Sequence, residues 1–150
     1  MVIIGIAGAM VVPSLIEPST LGVQAAGRMV ISDILIAQND AIAAQATRRV
    51  VFEPALNRYR LADVDGTTLN VGWKAGGTTA NYIVDFSTDA RFAGVTLQNV
   101  NFGGGQFLEF DPLGGPTNGG ALDLVAVNTT YRVTVAPFTG RVTIAPVPGP

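Results

Sequence analysis

The chain has 150 residues, 48% of them hydrophobic and 13% charged, with no histidine, no cysteine and a formal net charge of −2. Lacking both residues, it can hold no Ser-His-Asp or Cys-His nucleophile system, no zinc site with the usual ligands and no disulfide framework. One lysine and eight arginines make no field strong enough to hold nucleic acid over the whole surface, and the length suits one domain with its own core.

Mean hydropathy is high at +0.39, and part of the excess lies in residues 1–16 (MVIIGIAGAMVVPSLI), which carry no charge. Sixteen helical residues reach about 24 Å, short of the ~30 Å hydrocarbon core that about 20 residues cross. A cleavable secretory signal wants a basic opening and a small-residue cleavage site; no basic residue opens this run, and Glu17-Pro18 follows it. A buried core element is the alternative reading. Gly5, Gly8 and Pro13 count against a soluble core helix, where interior Gly costs about 1 kcal/mol and Pro about 3 relative to Ala, whereas membrane helices tolerate both.

The order Val2-Ile3-Ile4-Gly5-Ile6-Ala7-Gly8-Ala9-Met10-Val11-Val12-Pro13-Ser14-Leu15 resembles the N-terminal helix of the type IV pilin and type II secretion pseudopilin family. That helix reads as Phe-Thr-Leu-Ile-Glu, an apolar run, Gly, then Pro-Ser-Leu. The resemblance implies that Ile3, Ile4, Gly5, Gly8, Ala9, Val12 and Pro13 belong to a membrane and filament-core helix, with the small residues permitting close helix approach. In the family's spacing, the processing Gly, the first mature residue and the acidic fifth residue fall about nine positions before Met1. Either the start lies upstream of Met1 or this copy lacks the peptidase signal; restoring about eight or nine apolar residues would bring the run to spanning length, which favours the upstream start.

After a break over 17–22, residues 23–49 contain no Pro and one Gly, Gly27. Ala26, Val30, Ile34, Ala37, Ala41 and Ala44 recur at spacings of three or four, with Arg28, Asp33, Gln38, Asp40 and Gln45 between them. This predicts an amphipathic helix with one apolar stripe. Thr47-Arg48-Arg49 would close it, where the helix dipole favours cations by about 0.3–1 kcal/mol; that role at a helix end is preferred to a binding role. The helix, then Arg49-Val50-Val51-Phe52-Glu53-Pro54 and Asn57-Arg58-Tyr59-Arg60-Leu61, is similar to the GspH/FimT branch of the family. There a helix is followed by a strand, an acidic-Pro turn and a strand ending in Arg-Tyr.

From Val50 the period changes to two, with turn residues every eight to twelve positions, which predicts antiparallel sheet. Residues 50–52 and 58–61 flank a hairpin-sized connection at Pro54-Ala55-Leu56-Asn57, and Asp65-Gly66 marks the next turn. Strands are expected at 67–73 and 81–86 about the Gly76-Gly77 loop. Residues 91–102 alternate weakly, with Phe92, Val95, Leu97 and Val100 as core contributors. After Phe107-Leu108-Glu109-Phe110-Asp111-Pro112, residues 113–120 are too glycine-rich for a strand interior. Leu122 and Leu124, then Tyr131, Val133 and Val135, then Val142 and Ile144 alternate with Asp123, Arg132, Thr134, Arg141 and Thr143. Residues 130–136 and 141–145 should form a terminal hairpin through Phe138-Thr139-Gly140, after which Pro146, Pro148 and Pro150 stop pairing. The Phe110-Asp111-Pro112-Leu113-Gly114, Tyr131-Arg132-Val133 and Gly140-Arg141-Val142 segments look like the turn and closing strands of the GspH branch.

Motifs for chemistry fail on inspection. Asp63-Val64-Asp65-Gly66 opens like a calcium loop, but position twelve would be Lys74. Gly103-Gly104-Gly105 lacks the Lys-Ser/Thr of a phosphate loop. Glu109 and Asp111 share a strand face as a paired-acid site would require, yet solvated turn acids are the plainer reading. Some FimT-type members are implied to bind DNA through a Gly-Arg-x-Arg strand turn; here only Gly140-Arg141 matches and Thr143 takes the second arginine's place. Arg132 and Arg141 are therefore the candidate nucleic-acid contacts, on weak electrostatic footing.

The expected fold is α+β and pilin-like: an apolar segment over 1–22, an amphipathic helix over 23–49 and a β-rich head over 50–150, with 22–150 as one folded domain packed as a helix on an antiparallel sheet. The resemblance implies a non-enzymatic, cofactor-free and metal-free structural pseudopilin of a type II secretion pseudopilus or type IV pilus-like filament. It would sit in the inner membrane by a single pass, with its head in the periplasm or on the cell surface. Its partners would be other pilins or pseudopilins, the inner-membrane assembly platform, prepilin peptidase given an upstream signal, and secreted cargo, with DNA disfavoured. A DNA-uptake minor pilin and a major self-assembling subunit stand as the alternatives.

Overall fold

The computed structural model describes residues 18–70 and 81–149. Helix α1 spans Pro18–Ala44, about 40 Å at 1.5 Å per residue. Among the described residues eight strands follow: β1 Arg48–Glu53, β2 Arg58–Asp63, β3 Ile83–Asp85, β4 Thr96–Phe102, β5 Phe107–Phe110, β6 Gly120–Ala126, β7 Thr129–Val135 and β8 Val142–Val147. They form two antiparallel sheets rather than the single sheet expected, ordered β3-β2-β1-β5 and β4-β6-β7-β8. The chain changes sheet between β3 and β4, returns for β5 and leaves again for β6. α1 packs against β1 of the first sheet and against β6 and β7 of the second.

The helix is shifted from its expected bounds at both ends. It is continuous through residues 18–22, where a break was expected. Gly22 lies against the 3-10 turn Ala90–Phe92, where a Cβ would meet the carbonyl oxygens of Ala93 and Arg91 at the ordinary contact distances of 3.6 and 3.7 Å, and α1 packs on that turn. That packing outweighs glycine's intrinsic cost of about 1 kcal/mol. At the other end Gln45 takes φ +51. The Ala46 N–H donates to Ala41 O and the Gln45 N–H to Ile42 O, the pair of bonds that terminates a helix through a left-handed residue. Arg48 and Arg49 therefore open β1 instead of closing the helix, and the dipole role expected of them does not apply.

The inward stripe of α1 is Val23, Ala26, Val30, Ile34, Ala37 and Ala41, all fully buried; Ala44, expected to extend it, is exposed. Across from it runs a row of rings. Phe102 of β4 stacks on Phe52 of β1 at 5.4 Å, Phe52 meets Tyr59 of β2 at 5.8 Å, Tyr59 meets Phe86 at 5.7 Å, and Phe86 meets Phe92 at 5.3 Å. These separations suit tilted and offset aromatic pairs. The Phe102–Phe52 contact joins the two sheets.

The β1–β2 hairpin forms where expected, through the 3-10 turn Pro54–Leu56 and Asn57 at φ +51. The expected strand over 67–73 reduces, among the described residues, to isolated bridges of Thr68 with Ala62 and of Asn70 with Asn81; its remainder lies outside the described residues. Phe92, Val95 and Leu97 are core as expected and Val100 is half-buried. Their weak alternation has a local cause: Gln98 pairs with Asp123 but Asn101 with Ala121, one extra residue on β4, with Asn99 at φ +49. Such a bulge flips the side-chain phase partway along the strand.

The terminal hairpin is present as β7 and β8, but pairing continues through Pro146, which lies opposite Tyr131, where it was expected to stop. β8 is an edge strand, and an edge tolerates a residue without an N–H. On the other side of that sheet, a Cβ on Gly120 would lie 2.1 Å from Asn101 O and 2.7 Å from Phe102 Cα. Both are backbone atoms and cannot step aside. Gly120→Ala is expected to lower stability by about 2–3 kcal/mol, measured as a lower urea midpoint with unchanged slope; an unchanged midpoint would show that β4 and β6 can separate at no cost.

Candidate functional site

Ile3, Ile4, Gly5, Gly8, Ala9, Val12 and Pro13 lie outside the described residues. Arg132 and Arg141 are both described, and they differ. Arg132 lies directly opposite Asp123 in the β6–β7 ladder. Its Nε donates to Oδ1 at 2.7 Å and its Nη2 to Oδ2 at 2.9 Å, a bidentate, charge-assisted pair. Asn99, at the β4 bulge, donates its Nδ2–H to the same Oδ2 at 2.9 Å. The Asp123 side chain is 4% exposed against 48% for Arg132, so the guanidinium lies over a buried carboxylate. Arg141 precedes β8; its carbonyl accepts from the Ala136 N–H. This places it on the same sheet face as Arg132 but four residues along the strand, about 13 Å away at 3.3 Å per residue. Two cations at that spacing, one of them already bound, do not form a patch.

The remaining arginines follow the same pattern. Arg48 bridges Asp40 of α1 and Asp63 of β2. Arg49 donates to Glu109 at 2.6 Å and to Val64 O at 2.6 Å, Arg58 and Arg60 share Glu53, and Arg91 pairs with Asp89. Several pairs are set by strand register: Glu53 faces Arg58, Arg49 faces Glu109 and Arg58 faces Asp85. Opposite charges on facing residues add a few tenths to about 1 kcal/mol each. Their larger consequence is that positive charge on the head is spent locally. Among the described residues, Arg28 and Arg141 are the arginines whose guanidinium has no carboxylate partner.

The acids weighed for chemistry are occupied too. Asp63 is held by Arg48, and Asp65 accepts the Thr67 N–H at 2.8 Å as a turn acid. Glu109 is held by Arg49, while Asp111 Oδ1 accepts the N–H groups of Leu113 and Gly115 at 2.8 and 2.9 Å. Among the described residues no group of three or more acids converges as a cation site would require.

Asp123 carries a pH prediction. Its hydrogen bonds from Arg132 hold the carboxyl below the usual aspartate value, against the opposing effect of burial. A carboxyl whose folded pKa lies below its unfolded one stabilises above the unfolded value, near 3.8, and that contribution is lost as pH falls through the folded pKa. Arg132→Ala is expected to lower the melting temperature at neutral pH, by leaving the buried carboxylate without its charged partner, and to have little effect once Asp123 is protonated. Melting curves at pH 7 and pH 2.5 check this; an equal cost at both would mean the arginine contributes by packing.

α1 offers a different kind of surface. Opposite the buried stripe, Leu21, Ala25, Arg28, Ser32, Leu35, Asn39 and Ile42 are all exposed, at alternating spacings of four and three that keep them in one row. Leu21, Leu35 and Ile42 are 54%, 43% and 45% exposed, an unusual outlay of large apolar side chains for a solvated helix face. Thr20–Ala44 is long and apolar enough to cross a membrane by composition, yet its inward stripe is core of the head.

Asp33 is the functional-looking residue that the sequence reading missed. Expected among the polar positions, it is fully buried and accepts the Tyr59 hydroxyl at 2.6 Å. Tyr82 also donates to it. Burial first, and the Asp33 carboxyl second, push both tyrosines well above the ordinary value of 10. The signal was present in the spacing: Asp33 stands three residues after Val30 and four before Ala37, on the stripe itself.

No protein-family model matches the sequence, nor does any curated protein; the likeness to known proteins is carried by the structure. The chain is similar to the minor pseudopilin EpsH of the type 2 secretion system of Vibrio cholerae, with a TM-score of 0.60 at 13% identity over 83% of this chain and 97% of that one. It is similar to the type IV minor pilin FimU of Pseudomonas aeruginosa strain PAO1, with a TM-score of 0.55 at 13% identity over 83% of this chain and 88% of that one. A helix packed on antiparallel sheets thus gives this chain a pilin-like fold.

Proposed function

We propose that this protein is a structural subunit of a type II secretion pseudopilus or type IV pilus-like filament, acting mechanically rather than catalytically. The observation that carries the reading is the two-sided helix. One face of α1 is the core of a pilin-like head, and the opposite row from Leu21 to Ile42 is left for neighbouring helices. Residues 1–16 supply the membrane anchor before assembly and the filament core afterwards, where Gly5, Gly8 and Ala9 allow close helix packing. The head then stands outside the inner membrane and meets other pilins or pseudopilins. A minor, incorporated subunit fits better than a major one, since the similar structures are minor pilins. DNA uptake fits poorly: Arg132 is committed to Asp123 and stands apart from Arg141.

The test is the intact mass and N-terminal peptide of the protein recovered from its native membrane or filament fraction. Recovery in that fraction with an N-methylated terminus left by cleavage after a Gly is the expected result. A protein recovered only from the soluble fraction, beginning at Met1, would overturn it.

A further inference from the structure

The strand register gathers three turns at the end of the head where α1 begins. Asn57, closing the β1–β2 turn, donates its Nδ2–H to Val95 O at 2.8 Å and accepts the Leu97 N–H through Oδ1 at 2.8 Å. Val95 lies against the start of α1, since a Cβ on Gly22 would stand 3.7 Å from Val95 Cγ2. Thr96 pairs with Val125, which brings the β6–β7 turn at Val127-Asn128 to the same end. The three turns, 54–57, 93–94 and 127–128, contain no charged residue. Leu56 and Val127 stand 55% and 82% exposed on two of them, and Ala93 and Gly94 are exposed on the third. The charges around them are matched: Arg58 faces both Glu53 and Asp85 across the ladder, and Asp89 holds Arg91.

From this same end the chain leads back to residues 1–16, the uncharged apolar run. Gly22 lies about 6 Å along α1 from Pro18 at 1.5 Å per residue, and two further residues, at most about 7 Å of chain, reach Ile16. An anchor ending at Ile16 therefore holds the three turns close to the hydrocarbon edge, where the headgroup layer is about 5–8 Å deep. The other end of the head stands well away from it. Gln38, whose Nε2–H donates to Gly114 O at 2.8 Å and lies 2.9 Å from where a Cβ on Gly140 would be, is about 24 Å along α1 from Gly22. Leu113 and Phe138 beside it are more exposed still, at 84% and 91%.

We infer that this end of the head is a lipid-docking surface: before assembly, Leu56 and Val127 rest in the interfacial layer of the bilayer that holds the anchor. The inference rests on the membrane-anchored reading above. Two apolar side chains would not hold a free protein on a membrane, but a tethered head meets the surface at high effective concentration, so a weak contact is populated. Uncharged turns bring no unpaired charge to be desolvated there. The contact fixes the head's orientation, leaving the Leu21–Ile42 row of α1 turned sideways to neighbouring helices, and it is released when the subunit leaves the bilayer for the filament.

The absence of cysteine allows single labels. Full-length L56C, V127C and F138C chains carrying an environment-sensitive fluorophore are reconstituted in vesicles of phosphatidylethanolamine and phosphatidylglycerol, with and without brominated acyl chains. The expected result is blue-shifted emission, quenched by the brominated lipid, at L56C and V127C and neither effect at F138C, although position 138 is the most exposed of the three. L56D, a change on an exposed turn, should melt as the unaltered chain does and lower the docked fraction read at V127C on the order of tenfold, as loss of one buried leucine does. Equal signals at all three positions, whether all quenched or none, would overturn the proposal and leave the anchor reading standing, provided the chain floats with the vesicles. A blue shift without quenching would also overturn it, placing the turns against protein, and L56D without effect on V127C would do the same for Leu56 as a contact. Failure of the unaltered chain to float with the vesicles would overturn both readings.

Discussion

Asp33→Ala is expected to destabilise the head by about 3–5 kcal/mol, the largest effect of any single polar substitution. The carboxylate is fully buried at the middle of α1 and holds the hydroxyl of Tyr59 at 2.6 Å and that of Tyr82. Truncation leaves both hydroxyls without their acceptor at a desolvation cost of about 1–3 kcal/mol each, and opens a small void beneath the helix. The loss should be strongly non-additive with Tyr59→Phe, because once the carboxylate is gone the hydroxyl is itself a liability. Urea unfolding of the two single variants and the double variant measures the coupling, and additive losses would show that the bond contributes little. The same cluster sets an alkaline limit. Both tyrosines titrate above 10 in the folded state, so the unfolded chain releases these protons first. Their contribution is complete below pH 10 and declines as pH rises beyond it. Tyr59→Phe should flatten that decline in a series of melting temperatures from pH 8 to 12.

Phe52→Ala is expected to cost about 3–5 kcal/mol, as truncation of a fully packed ring does. Phe52 lies on β1, between Tyr59 of the same sheet and Phe102 of the other, and is 1% exposed. The substitution removes the centre of the aromatic row that joins the two sheets, so the thermal transition should broaden as well as shift. Phe52→Leu keeps most of the buried area and should recover more than half of the loss. If Phe52→Ala instead shifted the transition no more than a surface substitution, the sheets would have to be held together by α1 alone.

Much of the fold was legible in one dimension. Val30, Ile34, Ala37 and Ala41 announce a helix stripe by their spacing, and the stripe is buried. The Pro54-Ala55-Leu56-Asn57 turn and the Phe138-Thr139-Gly140 connection are local signals, and both hairpins are present. What failed depended on local backbone geometry or on distant residues. The end of α1 is decided at Gln45 by two backbone bonds, a geometry with no marker in a residue type that rarely adopts it. The weak period of β4 comes from one extra residue at Asn99, visible only when β6 is laid beside it. Nothing in the alternation distinguishes one sheet from two, because strand periodicity reports which side chains are buried and not which strands pair.

The candidate surfaces divide in the same way. Composition alone excluded Ser-His-Asp and Cys-His nucleophile systems, zinc sites with the usual ligands and disulfides, since the chain has neither histidine nor cysteine. The arginines could be counted but not spent: facing pairs such as Arg132 with Asp123 are created by register between strands, and register belongs to the folded molecule. Asp33 sat on the apolar stripe in plain view, yet its burial became intelligible only once β2 brought Tyr59 to it. By itself the sequence determined the helix stripe, the strand-rich head and the chemistry the protein lacks, because those follow from residue type and local period. The tertiary structure decided which charges cancel, which polar group is buried and which apolar rings stay outside, because each depends on a partner brought close from far along the chain.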